Sequence, residues 1–352
     1  MTAAIAIAAI GLWAGWGACA LWFRLPFNRQ ANQAAVATWL GLALLAASGF
    51  ISGRTALTSV FGAASLVLLA WWWLGVRPSN DRDWMPEVAE LTYGDITGDV
   101  VTLHNVRDFR WRTRDDYDAR WTTRHYDLNQ LESVDLVLST WGRPAVAHAM
   151  VSFGFGAGSF VVFSVEIRRK RGDVFSEIGG FFRKYELSIL ASTEEDSLRV
   201  RTNVRGEEGY LYRVDMPLDG ARALFVSYVR TASRLRQRPR FYNTLTANCT
   251  TLIWRLANQI VPGLPMDHRL LLSGYLPEYL DRMDALAGEG DVASRRRVGN
   301  YTSRALAAAN TADYSRVIRE GVPGIPRLDD PPACGEARAV ARQHERPDSE
   351  RE

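Results

Sequence analysis

Three long stretches without a charged side chain open the chain: residues 1–23, 30–53 and 55–76. As a helix, each is long enough to cross about 30 Å of hydrocarbon. The breaks are polar. Arg24, Pro26 and Arg29 separate the first two stretches, and Arg54 separates the second from the third. The pattern predicts three transmembrane helices within residues 1–78, and two further spans behind the first argue against a cleaved signal peptide. Trp71, Trp72 and Trp73 fall near the end of the third span, where indole rings favour the headgroup level. Arg24, Arg29, Arg77 and Arg82 lie toward one side and Arg54 toward the other, a count that taken alone puts the large domain in the cytoplasm.

After the polar exit "RPSNDRDWMP" (77–86) the apolar period shortens to two. "DVVTLHNVRDFRWR", "SVDLVLSTWG" and "GYLYRVDMP" predict strands, as does "SLRVRTNV"; the charged, aromatic "TRDDYDARWTTRHYDLNQL" predicts surface strand and loop. "FSEIGGFFRKYELSIL" reads as helix and turn. "DGARALFVSYVRTASRLRQRP" has helical spacing with a proline stop, and "NCTTLIWRLANQI" has a helical apolar stripe behind Asn248, a favoured N-cap residue. The expected organisation is a membrane region over 1–78, an α+β domain over 79–283, a helical segment over 284–327 and a proline- and charge-rich tail over 328–352 expected to be disordered.

One stretch carries a testable register. "AVAHAMVSFGFGAGSFVVFSVEIRRKRG" holds two apolar runs around a glycine-rich turn, a β-hairpin pattern. Centred on Ala157, the hairpin places His148 opposite Glu166 on one side of the sheet. An imidazole beside a carboxylate is oriented by it and held in its charged form.

Charge and cysteine content narrow the chemistry. The net charge is +3 with signs interspersed, which gives no nucleic-acid footprint. The three cysteines are Cys19 in the first span, Cys249 and Cys334 in the tail; they build neither a disulfide framework nor a zinc pattern, and no cofactor motif is present. Cys249 falls in the first turn of its predicted helix. Free amides and the helix dipole favour a thiolate there, and the same amides can donate to a developing oxyanion. A thiolate needs a base and the base an orienting group. Of the five histidines, His344 lies in the tail, His104 and His125 in charged runs, and His268 in a loop; His148 alone sits in an apolar strand opposite a carboxylate. The candidate set is therefore Cys249 as nucleophile, His148 as general base and acid, and Glu166 as orienting group, with a serine or water as the alternative in the last role. Asn248, Tyr242 and Asn243 either support the site or complete its oxyanion hole.

The run "NVRDFRWR…RWTTRHYDL…DLVLSTWG…AHAMVSFGF…VVFSVEIRR…GFFRKYEL…LRVRTN…FYNTLTANCTT", over about residues 80–265, resembles the Lnb N-terminal periplasmic domain family. Three hydrophobic spans and a "PSNDRDW" exit also resemble full-length members. That family is named for a bacterial lipoprotein N-acyltransferase and is similar to permuted papain-like thiol enzymes, in which the histidine strand precedes the cysteine helix. The resemblance implies an antiparallel sheet packed on helices and an acyl-thioester on Cys249 resolved by an amine or by water. It also implies a periplasmic domain on a multi-pass inner-membrane protein, against the arginine count. The expected activity is a membrane-anchored cysteine acyltransferase on lipid or lipoprotein. The alternatives are a thiol amidase or peptidase on cell-envelope peptides and a non-catalytic membrane-bound binding protein; the oligomeric state stays open.

Overall fold

The computed structural model describes residues 2–326, Asn310 and Ala312 excepted. The charge-free stretches form α1 (Thr2–Arg24), α2 (Arg29–Ile51) and α3 (Thr55–Ala70), the last continuing through a π turn, Trp71–Gly75. All three are long and apolar enough to cross a membrane. Between them, Trp39 Nε1 donates to the Ala14 carbonyl and Trp13 Nε1 to Ser65 Oγ, each at 2.9 Å. A Cβ at Gly17 would stand 2.5 Å from the Trp39 ring, so the contact of α1 with α2 needs a glycine there.

The remainder is an α+β domain. Its strands are β1 (Tyr93–Thr97), β2 (Val100–Arg107), β3 (Arg110–Trp111), β4 (Tyr117–Asp118), β5 (Trp121–Asp127), β6 (Leu131–Thr140), β7 (Ala147–Phe155), β8 (Ser159–Arg168), β9 (Glu186–Ser192) and β10 (Glu208–Arg213). The main sheet runs β1-β2-β9-β8-β7-β6-β10, with β5 paired to β2, and β3 with β4 forms a separate ribbon. The expected antiparallel sheet is corrected at one place. β2 and β9 meet in parallel at Arg107↔Ser192, so the sheet is mixed; the two strands lie far apart in sequence and are joined by a crossover rather than a hairpin.

"SLRVRTNV", expected as strand, is helical. Thr193 caps α4 (Glu194–Arg199), its hydroxyl accepting from the Asp196 amide at 3.2 Å, and three acidic residues occupy the first turn where the helix dipole favours them. A π turn, Val200–Val204, follows. In "FSEIGGFFRKYELSIL" the turn is short, Ile178–Phe182, and the second half is β9, whose residues are buried on both faces and so lack the alternation that marks a half-exposed strand.

Side chains of β7 and β8 alternate between two layers. Val151, Phe153, Val161 and Phe163 pack under α5 (Leu218–Gln237) and α6 (Cys249–Ile260). Met150 and Val162 pack on the other face against the C-terminal segment, through Tyr301, Tyr314 and Ile318. That segment is also fixed by charge: buried Arg319 reaches Asp135 on β6 at 2.9 Å and Glu194 on α4 at 2.6 Å. The tail from residue 328, with Cys334 and His344, lies outside the described residues.

The domain sits on the ends of α1 and α3. Arg24 donates to the Arg183 carbonyl and Arg183 to the Trp72 carbonyl, both at 2.7 Å, while the Arg183 guanidinium lies over the Trp72 and Trp73 rings. The expected tryptophan belt is thereby divided. Trp72 is buried against Trp16 and Phe182 in this junction, and Trp73 remains exposed. Two of the arginines counted for orientation are likewise bound into the domain, Arg24 as above and Arg82 to Glu186 at 3.1 Å.

Candidate active site

The β7–β8 hairpin has the register expected from its sequence. Its pairs run from Phe155↔Ser159 to Met150↔Ser164, each summing to 314. The ladder stops there, although β7 begins at Ala147 and β8 runs on to Arg168. Beyond the last pair Ala149 has no partner on β8, and its backbone amide favours the ionised sulfur of Cys249. The same divergence leaves His148 and Glu166 facing each other, with His148 Nε2 3.2 Å from Glu166 Oε1.

Cys249 is the first residue of α6, and the loop before it is built to hold it. Asn248 Oδ1 accepts from the Thr251 amide at 2.8 Å while the Asn248 amide donates to the Thr251 hydroxyl at 3.0 Å, a complete capping box. Asn248 Nδ2 donates to the Thr244 carbonyl at 2.7 Å. Asn243 Oδ1 accepts from the amides of Leu245 and Thr246, which closes the turn. These contacts make Asn248 and Asn243 builders of the loop. The amides of Cys249 and Thr250 belong to the first helical turn, which has no intrahelical acceptors to offer them. Burial first, then the charges of Cys249 and Glu166, push the Tyr242 hydroxyl up, so it remains protonated.

Behind the thiol runs a charged relay. Ser164 Oγ donates to Glu166 Oε1 at 2.7 Å and so accepts at 2.6 Å from His148 Nε2, which fixes the proton on that nitrogen and leaves Nδ1 as the basic one. Glu166 also accepts from Arg201 Nη2 at 3.0 Å, and Arg201 Nη1 lies 3.6 Å from Glu207. Burial pushes the Cys249 thiol up, but the hydrogen bond and charge of His148 and the Ala149 amide outweigh it, and the thiol titrates below its ordinary value. Burial and Arg201 push the His148 ring down; Glu166 and the Cys249 thiol overcome both and leave it raised. Burial also penalises the Glu166 carboxylate, yet His148, Arg201 and Ser164 hold it well below the usual range. The directions agree on one state, a thiolate–imidazolium pair backed by a carboxylate and a guanidinium, in which the four charges cancel.

The site is reachable. The side chains of His148 and Glu166 keep 13 % and 21 % of their surface exposed, and Cys249 is only partly buried. The other described histidines are elsewhere: His104 pairs with Asp95 at 3.1 Å, His125 contacts Thr102 at 3.0 Å, and His268 starts a short turn capped by Asp267. Two participants were not among the residues singled out from sequence, Arg201 and the Ala149 amide, and Ser164 stands where a serine was left open as an alternative orienting group. Among the described residues no cluster of side chains fit to hold a metal ion is found.

The family model described as the Lnb N-terminal periplasmic domain matches residues 117–274. Residues 117–274 are thus similar to that family. The match begins at β4 and ends in the turn Ser273–Tyr275, later at both ends than the 80–265 read from motifs, and it contains Cys249, His148, Glu166, Ser164 and Arg201. No curated protein and no solved structure matches the chain. The three helices long and apolar enough to cross a membrane and the match to a periplasmic-domain family together fit a membrane protein with a periplasmic domain.

Proposed function

We propose that this protein is a cysteine-dependent acyltransferase of the bacterial inner membrane, working through an acyl-thioester on Cys249 with lipid or lipoprotein as substrate. One observation carries the reading: a thiol at a helix N-terminus, held below its ordinary pKa by an imidazole whose Nε2 is fixed by serine and carboxylate. The order of His148, Glu166 and Cys249 along the chain fits a permuted papain-like layout.

In the proposed first half-reaction, the Cys249 thiolate attacks the carbonyl carbon of an ester donor. A C–S bond forms, and the oxygen takes the negative charge toward the Cys249 amide and the Tyr242 hydroxyl. Collapse breaks the C–O bond, and the imidazolium of His148 gives its Nδ1 proton to the leaving alkoxide. In the second half, an amine attacks the thioester, His148 takes the amine's proton, and the amide leaves as the C–S bond breaks. Ser164 and Glu166 keep the ring in its tautomer, and Arg201 holds Glu166.

A membrane-borne donor is supported by the packing that joins the ends of the membrane helices to the loop before Cys249. Phe182 stacks on Phe23 of α1, Gly180 lies beneath Tyr242 and Thr244, and the Thr244 hydroxyl donates to the Glu177 carbonyl at 3.2 Å. Leu245 in the same loop, four residues before Cys249, is exposed and apolar. The test is labelling with a long-chain acyl activity probe. Wild type is expected to retain the acyl group as a hydroxylamine-sensitive thioester, and Cys249→Ala to retain none while folding normally; equal labelling of both would end the acyl-thioester reading.

A further inference from the structure

Where the membrane helices meet the domain there is a cavity of about 330 Å³. Arg29, Lys170 and Lys184 line it against one carboxylate, Asp173, and Trp22 and Leu25 form an apolar wall. Trp22 belongs to the last turn of α1 and Arg29 is the first residue of α2, so the cavity lies at the level where hydrocarbon gives way to headgroups. Asp173 is already engaged, accepting from the Lys170 amide at 3.2 Å, and Lys184 donates only to a neutral group, the Val174 carbonyl, at 2.6 Å. Positive charge is left in excess.

The loop that supplies both lysines gives a second, independent observation. Val174, Phe175, Ile178 and Phe181 are all exposed although large and apolar, a concentration that marks a binding surface. The loop is held against the helix ends by Phe182, stacked on Phe23 with centroids 5.8 Å apart, and by Arg183 over Trp72 and Trp73. An apolar loop fixed at the height of the helix ends meets a bilayer surface rather than bulk water.

We propose that this junction binds the headgroup of an anionic phospholipid. The phosphate sits among Arg29, Lys170 and Lys184, the acyl chains lie along the wall formed by Trp22 and Leu25, and the 174–181 loop rests in the interfacial layer. The site stands apart from the thiol chemistry and is tested by binding alone. Full-length protein in mixed micelles of phosphatidylglycerol and phosphatidylcholine is examined by native mass spectrometry for retained lipid. Wild type should retain phosphatidylglycerol over phosphatidylcholine, and millimolar inorganic phosphate should not displace it. Lys170→Gln with Lys184→Gln should weaken retention by about fivefold per lysine removed. Arg54→Gln, at the opposite ends of the helices, should leave it unchanged. Equal retention of the two lipids, full retention by the double variant, or displacement by inorganic phosphate would each overturn the site. If the double variant fails to fold, Arg29→Gln at an exposed position carries the same expectation, about a fivefold loss, and unchanged binding there overturns it as well.

Discussion

At the scale of single residues, the charge state of Cys249 is set by groups that act together and cannot be removed singly without penalty. Glu166 accepts from His148, Ser164 and Arg201, so Glu166→Gln takes the negative charge from between two cationic groups. Arg201 then opposes the imidazolium unbalanced. The His148 pKa, raised in the native site, should fall in this variant, and with it the thiolate population near neutral pH; the rate of Cys249 alkylation is expected to drop by about tenfold or more, a change of one pKa unit. The pair His148–Glu166 was legible in the sequence because the glycine-rich turn fixed the register and strand side chains alternate. Arg201 was not. The alternation of "SLRVRTNV" imitates a strand, and the signals that decide for helix, the Thr193 cap and three acidic residues, lie just upstream of that window.

At the scale of elements, the position of the sulfur depends on two terminations: the end of the β7–β8 ladder and the start of α6. The second was legible from Asn248, whose side chain satisfies an orphan amide. The first was not, since where two strands part is decided by what packs between them. Asn248→Ala removes the capping box and the tie to Thr244 together, and is expected to cost about 1 kcal/mol of stability in denaturant unfolding. The variant should also react more slowly at Cys249 than its stability loss explains, because the first turn of α6 frays. A variant with wild-type stability and wild-type alkylation would mean that the loop holds the thiol without its cap.

At the scale of the whole molecule, the sheet is covered on both faces, by α5 and α6 on one and by the C-terminal segment on the other. Sequence periodicity located those helices without telling which face each covers, since amphipathic helices of similar stripe fit either one. Arg319 settles it for the C-terminal segment by entering between Asp135 and Glu194, all three buried. Arg319→Met leaves Glu194 without its cation and Asp135 with Arg213 alone, and should destabilise the domain by about 3–5 kcal/mol, read from thermal or denaturant unfolding. The membrane region and the domain are likewise joined by specific contacts, Arg24 and Arg183 with Phe182 and Trp72, so the candidate site is held at a set height above the helix ends. The measurement that bears most directly on the ionised sulfur is the pH dependence of Cys249 alkylation, followed on its own peptide, in wild type and His148→Gln. Because the native thiol titrates below its ordinary value and burial alone would raise it, the wild-type rate should reach its plateau at a pH lower than that of a free cysteine, and the variant's inflection should move above it. Superimposable profiles, with both inflections at or above the free-thiol value, would contradict the thiolate–imidazolium pair.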